Sequence, residues 1–240
     1  IQACSNDPQV TFHAIHNLIR PFRDVVKMKW SQNGFVSGKL EETPRNLMAF
    51  KDGTVNPRKN DELKKYVFID DGWAKNGTYC IIRRIQIHIE TWDRTSLEEQ
   101  EATFGRKRAS GAPLTGKKEF DNIDLDAKDS SGQYVIDPNA HARLAREVKT
   151  SIKRRAYNYN DGTNAKTGAL ETGLMFICFQ KSTQQFIDIQ NNLGHSDKLN
   201  EYITHRGSAS FLVLPGVKKG GYIGETLCSY ISRYASTHDR

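Results

Sequence analysis

Asn46-Leu47-Met48-Ala49-Phe50-Lys51-Asp52-Gly53-Thr54-Val55-Asn56-Pro57 sets one carboxylate inside a glycine-containing bend, between a short apolar run and an Asn-Pro stop. Gly53 opens backbone conformations closed to other residues, and Pro57 disfavours helix at Asn56. The bend can therefore hold Asp52 toward a pocket instead of solvent. An Asp-Gly pair is also an ordinary turn signal. Two downstream segments change its weight: Asp137-Pro-Asn-Ala-His141 and Lys153-Arg-Arg-Ala-Tyr-Asn-Tyr159. They add an imidazole and two adjacent guanidiniums to the lone carboxylate.

Outward from this stretch the pattern alternates strands and helices. Residues 1–5 read as a short strand. Asp7-Pro8 caps a helix, with Phe12, Ile15, Leu18 and Ile19 on one face, and residues 25–30 alternate as a strand. Strand, helix, strand is half of a ferredoxin-like unit. Downstream, residues 79–92 read as one long strand, with His88 pointing outward. Thr95 and Glu98 read as a capping box. Residues 105–134 form a long polar connection. Residues 154–159, 174–180 and 210–214 read as extended, and 183–192, 197–203 and 222–234 as helical. This order predicts an α+β fold, an antiparallel sheet with helices on one face.

The chain has 240 residues and a formal net charge of +7, with 37% hydrophobic and 26% charged residues, a globular balance. Its basic residues are dispersed in small clusters, which reads as a solvated face. No apolar run reaches the roughly 18 residues a membrane helix needs. The four cysteines, at 4, 80, 178 and 228, form no C-x-x-C pair, so neither a zinc site nor a disulfide framework is expected. Cys80 and Cys178 lie in apolar runs and are expected to be buried thiols. Sheets with basic and aromatic residues also bind RNA, but no Lys/Arg-Gly-Phe/Tyr signature sits on a strand. Nucleic acid is not an expected partner.

The three segments together resemble the dye-decolorizing peroxidases, a family of haem enzymes whose hallmark is Gly-x-x-Asp-Gly. Here it reads Ala49-Phe-Lys-Asp52-Gly53, with alanine for the first glycine. The resemblance continues through residues 77–94, Phe104-Gly-Arg, Ser110-Gly-Ala-Pro-Leu114, residues 171–180 and Phe211-Leu-Val-Leu-Pro-Gly216. It is most like the bacterial branch described as deferrochelatases/peroxidases. It implies two ferredoxin-like halves with antiparallel sheets and peripheral helices, the first half incomplete. Residues 1–45 would be the remainder of that half, and 46–240 the second half with the haem pocket. The family extends further at the N-terminus, so a separate or proteolysed N-terminal fragment is an expected partner. Self-association into a homo-oligomer, and export to the periplasm or cell surface, follow from branch analogy, with a cytoplasmic location as the alternative.

By the same resemblance the cofactor is haem (heme b), with hydrogen peroxide and a small electron donor as substrates. His141 is the implied proximal iron ligand. Asp197 is the candidate hydrogen-bond partner of that histidine, with Glu201 as its competitor and helix capping as a further role for Asp197. Asp52 is the implied distal acid/base, and activity favouring acidic conditions is expected. Arg154 is the implied distal arginine, with Arg155 as alternative, since successive strand residues face opposite ways. Arg83, or the region of Gly53, Thr54 and Asn56, would meet the haem carboxylates; an ion pair with Glu90 or Asp93 is the other role for Arg83. Phe211, Leu212, Met175, Phe176 and Ile177 are candidate walls. Tyr157, Tyr159, Trp92 and Trp30 are candidate surface relays for electrons. A positive φ at the hallmark's first position would make Ala49 strained. Haem binding with iron release is the alternative to peroxidase turnover.

Overall fold

The computed structural model describes residues 1–39 and 41–238, the last four by backbone alone. Contacts divide it into two compact units, residues 1–33 and a second from Gly34 onward. In the first, Asp7 accepts from the Gln9 N–H at 2.8 Å and opens α1, Pro8–Ile19, with Pro8 in its first turn. A 3₁₀ turn, Arg20–Phe22, follows. The strands expected at 1–5 and 25–30 are not formed. Alternation makes a strand only where a neighbour takes up the backbone groups. The described residues offer none here, and Val25 and Trp30 are 80% and 58% exposed.

The second unit is built on one antiparallel sheet. Its elements run α2 (Asn60–Tyr66), β1 (Thr78–Ile87), α3 (Ile89–Trp92), α4 (Leu97–Phe104), α5 (His141–Glu147), β2 (Lys153–Arg154) and β3 (Tyr157–Thr163). Then come β4 (Leu170–Gln180), α6 (Thr183–Gly194), a 3₁₀ turn at Lys198–Glu201, β5 (Ile203–Val213) and α7 (Glu225–His238). β1 lies between β4 and β5, and the far side of β4 is shared by β2 and β3. The register sets Ile81 opposite both Cys178 and Ser210, and Arg154 opposite Cys178. Paired residues point to one side of a sheet, so these share a face. On that face Ile81, Cys178 and Ile152 form a core with Phe176 and with Phe186 and Ile189 of α6. Residues 105–134 contain no helix or strand, as expected.

Several boundaries differ from the sequence expectation. The strand of 79–92 ends at Ile87, and His88 leads into α3 instead of pointing outward from a strand. Packing decides this: Trp92 is buried, and its indole N–H donates to the Met48 carbonyl at 3.2 Å. It joins Met48, Phe50, Ile87, Phe104, Leu199 and Tyr202 in the largest core cluster. The cap of α4 is Ser96, which accepts from the Glu99 N–H, one residue later than the expected Thr95. Only a 3₁₀ turn forms within 197–203, and β5 starts at Ile203, well before residue 210. Its first half, Ile-Thr-His-Arg-Gly-Ser, pairs with β1 despite its polarity, because ladder hydrogen bonds need no apolar side chain.

Candidate active site

Asp52 stands at the end of a tight hairpin. The Asp52 N–H donates to the Pro44 carbonyl at 2.8 Å, and the Asn46 N–H to the Phe50 carbonyl at 3.0 Å. Inside, the Ala49 N–H closes a turn onto the Asn46 carbonyl at 3.0 Å, and Ala49 then adopts φ 67°. A turn followed by a left-handed residue is the standard three-residue hairpin, and that last position is where glycine is usually found. The Asn46 side chain accepts from Met48 and Phe50 N–H, and the Arg45 guanidinium donates to the Ala49 carbonyl at 2.7 Å. Gly53 follows at φ 115°, a value that favours glycine. Glu119, from the long connection, ion-pairs with Lys51 and accepts from Thr54 Oγ1 at 3.0 Å. Burial alone would push its carboxyl up, but hydrogen bonds led by Lys51 outweigh this and hold it below the ordinary range.

Arg154 reaches Asp52. Its Nη1 lies 3.1 Å from Asp52 Oδ1, and the two side chains are 27% and 19% exposed. They are neither sealed in the core nor free in solvent. Arg155 is exposed and turns its Nε to the Tyr157 hydroxyl at 2.8 Å. Of the two adjacent arginines, Arg154 is therefore the one that meets the carboxylate.

His141 opens α5. The Asp137 carbonyl accepts from the Ala140 N–H, and its side chain from the Asn139 N–H, a turn that delivers the histidine to the helix start. Gly105, at φ 73°, ends α4 where a Cβ would meet Ile136 and Ala140 at 3.0 and 3.3 Å. The approach to His141 thus depends on that glycine. His141 Nδ1 lies 2.7 Å from Oδ2 of buried Asp197. A carboxylate only accepts, so Nδ1 is the donor, which in the neutral ring leaves the lone pair on Nε2. Asp197 Oδ1 meanwhile accepts from the Leu199 N–H at 2.9 Å. The two roles considered for Asp197 coexist, one on each oxygen. Glu201 is exposed.

Ring contacts tie the two centres together. Phe50 stacks on Phe104 at 4.1 Å, and Phe104 meets the His141 ring edge-on at 6.1 Å. Arg106, two residues on, is held below its ordinary value by burial and by Arg146 and Arg154, against the opposing pull of Glu119. The Arg106 guanidinium also donates to the Gly111 and Glu119 carbonyls at 2.7 and 3.1 Å.

The profile of the Dyp-type peroxidase C-terminal domain matches residues 43–218, and that of the N-terminal domain residues 1–36. The chain belongs to the Dyp-type peroxidase family. Members of this family are haem proteins. A deferrochelatase of Yersinia pseudotuberculosis is 36% identical over 95% of the chain, and the chain spans only 56% of that relative's length. Ferric DtpA from Streptomyces lividans superposes with TM-score 0.89 at 33% identity, over 94% of this chain and 64% of that one. A DyP-type peroxidase from Cellulomonas bogoriensis gives 0.88 at 35% identity, over 93% and 64%. These likenesses agree with the ferredoxin-like α+β fold.

In the Dyp-type hallmark of this chain, Ala49 stands at φ 67°, a left-handed conformation that favours glycine. Asp52, Arg154, His141 and Asp197 fall into two bonded pairs. Of the other candidates, Arg83 shares the sheet face of Arg154. Arg83 donates to Gln190 and to Ser208 Oγ, and lies over the Phe186 ring at 4.9 Å. It pairs with neither Glu90 nor Asp93. The Thr54 hydroxyl is taken by Glu119 and the Asn56 amide by the Arg154 backbone. Phe211 pairs with Cys80, one position out of step with Ile81, so it points to the sheet face opposite Arg154. Met175 and Ile177 belong to that opposite face as well, packed with Cys80. Trp92 and Tyr159 are 2% and 0% exposed and are no surface relays; their bulk fills the interior. The sequence reading missed Arg106, Arg146, Glu119 and Arg45. Arg106 lies in the Phe104-Gly-Arg motif but was given no role there, and the contacts of Glu119 with Lys51 and Thr54 span more than 60 residues.

Proposed function

We propose that this chain is the haem-binding, catalytic part of a peroxidase that uses hydrogen peroxide to oxidise one-electron donors such as dyes or phenolics. The carrying observation is the combination of a His141 imidazole with Nδ1 held by Asp197 and an Asp52–Arg154 pair at 3.1 Å. The donor set fits haem. His141 Nε2 has no partner among the described residues and suits the iron. Basic side chains near this site, Arg106 first among them, suit the haem carboxylates. When bound, heme b supplies the redox chemistry of peroxide reduction and one-electron return.

The chain's own residues supply the rest. Asp197 fixes the tautomer and direction of the His141 ring and increases its basicity toward metal. Asp52 takes a proton from the near oxygen of peroxide and delivers it to the far one. Arg154 stabilises the charge that develops as the O–O bond breaks, worth about 3 kcal/mol if comparable to an oxyanion donor. The resemblance to proteins named deferrochelatase supports a second reading of the same pocket, haem binding with release of iron.

The test is oxidation of a dye by peroxide with haem-reconstituted protein, beside anaerobic incubation scored for free porphyrin fluorescence. Peroxide-dependent bleaching that is lost in His141→Ala supports the peroxidase. Porphyrin release without bleaching supports the second reading instead.

A further inference from the structure

We propose that Asn56 is the positioning residue that fixes Asp52 against Arg154, a proposal that rests on the peroxidase reading above. In an antiparallel ladder, consecutive residues turn their N–H and C=O groups to opposite sides. The Arg155 N–H donates to the Ile177 carbonyl at 2.8 Å, so the backbone groups of Arg154 face away from β4. No strand lies on that side of β2 among the described residues. The Asn56 carboxamide takes the place of one. Its Oδ1 accepts from the Arg154 N–H at 2.8 Å, and its Nδ2 donates to the Arg154 carbonyl at 2.9 Å.

The rest of the loop follows. Lys153 Nζ donates to the Pro57 carbonyl at 3.0 Å, and Arg154 Nη2 reaches the Val55 carbonyl at 3.4 Å. Residues 52–57 thus run along β2, with Asp52 at one end and the double amide contact near the other. Glu119 anchors the hairpin side through Lys51 and Thr54. Only asparagine meets both backbone groups at this reach. Aspartate lacks the donor and sets an anion against a carbonyl. Glutamine adds a methylene that pushes the loop away. Alanine leaves both groups of Arg154 unpartnered. Without Asn56 the loop and strand are free to part, and the carboxylate and guanidinium no longer act on one peroxide. A displacement of about 1 Å can cost on the order of a hundred-fold in rate.

The test uses the haem-loaded chain with Asn56→Ala, Asn56→Asp, Arg154→Leu and the Asn56→Ala/Arg154→Leu double variant. Asn56→Ala should slow the peroxide reaction by about thirty- to a hundred-fold, with the KM for the electron donor unchanged. Asn56→Asp, which keeps one of the two bonds, should fall between. In the Arg154→Leu background Asn56→Ala should cost clearly less than in the parent, because the guanidinium that the loop must meet is already gone. Independently of turnover, amide exchange at Arg154 should accelerate at least about ten-fold in Asn56→Ala, while that at Arg155 stays protected. A wild-type rate in Asn56→Ala, or losses that multiply in the double variant, would overturn the proposal. If Asn56→Ala does not fold, Asn56→Asp carries the same comparison. If the parent protein itself fails to react with peroxide, the peroxidase reading falls, and so does the catalytic part of this proposal. Unchanged Arg154 exchange would then remove the structural part too.

Discussion

Replacing Ala49 with glycine should stabilise this protein without changing its catalysis. Ala49 sits at φ 67°, where its Cβ crowds the backbone. The left-handed region costs an L-residue about 1–2 kcal/mol. Glycine gives back part of that gain through the entropy of its unfolded chain, about 0.4–1 kcal/mol. The net expectation is about 0.5–1 kcal/mol in favour of glycine. No packing is lost, because Ala49 is exposed. Its bonds to Asn46 and Arg45 use only backbone atoms and survive the substitution. For a chain of this size about 2–4 °C accompanies each kcal/mol, so thermal unfolding followed by circular dichroism should shift up by about 1–4 °C. The peroxide reaction should stay within about two-fold, since the Pro44 carbonyl still holds Asp52 in place. Ala49→Val should move the midpoint the other way. A glycine variant that melts at or below the parent temperature would refute the assignment of strain to this residue.

Asp52→Asn should retain haem and lose about 10²–10⁴ of the peroxide reaction rate, read by stopped-flow absorbance; full activity would remove Asp52 from the acid/base role. Glu119→Gln tests the anchor beneath the hairpin. The Glu119 carboxyl is held below its ordinary 4.5, so its stabilisation is present above that value and is lost as pH falls through the folded value. In denaturant titrations the variant should be weaker than the parent at neutral pH, and the difference should close in acid; a pH-independent gap would contradict the ion pair. Native protein should expose two reactive thiols, Cys4 and Cys228, to alkylation at mildly alkaline pH. Burial pushes Cys178 up to about 12 and raises Cys80 as well, so four should react only after unfolding.

Legibility followed the range of the signal. Asp52, Gly53 and His141 lie in short motifs whose turn residues act within a few positions, and each is where the pattern places it. Arg154 was separable from Arg155 in principle, since alternation allows only one to face the carboxylate. The register decides which. Asp197 was legible as a cap and as a partner, and one carboxylate serves both. What stayed hidden was long-range. Asn56 read as a stop before proline and as part of a candidate haem-contact region, while its amide serves a strand 98 residues away. Arg106 and Glu119 sit in a polar connection with no periodicity. Residues 25–30 alternate as a strand would, yet alternation cannot supply the neighbour a strand requires. The apolar run past Ile87 misled in the opposite sense, because burial of Trp92 bends the chain into helix there.

The most direct test of the central claim is the visible absorption spectrum of the haem-reconstituted chain before and after one equivalent of hydrogen peroxide. A Soret band that shifts on peroxide addition, and returns on adding an electron donor, is the result expected from His141, Asp52 and Arg154 acting together. A Soret band indifferent to peroxide, or none after haem is supplied, would contradict the account.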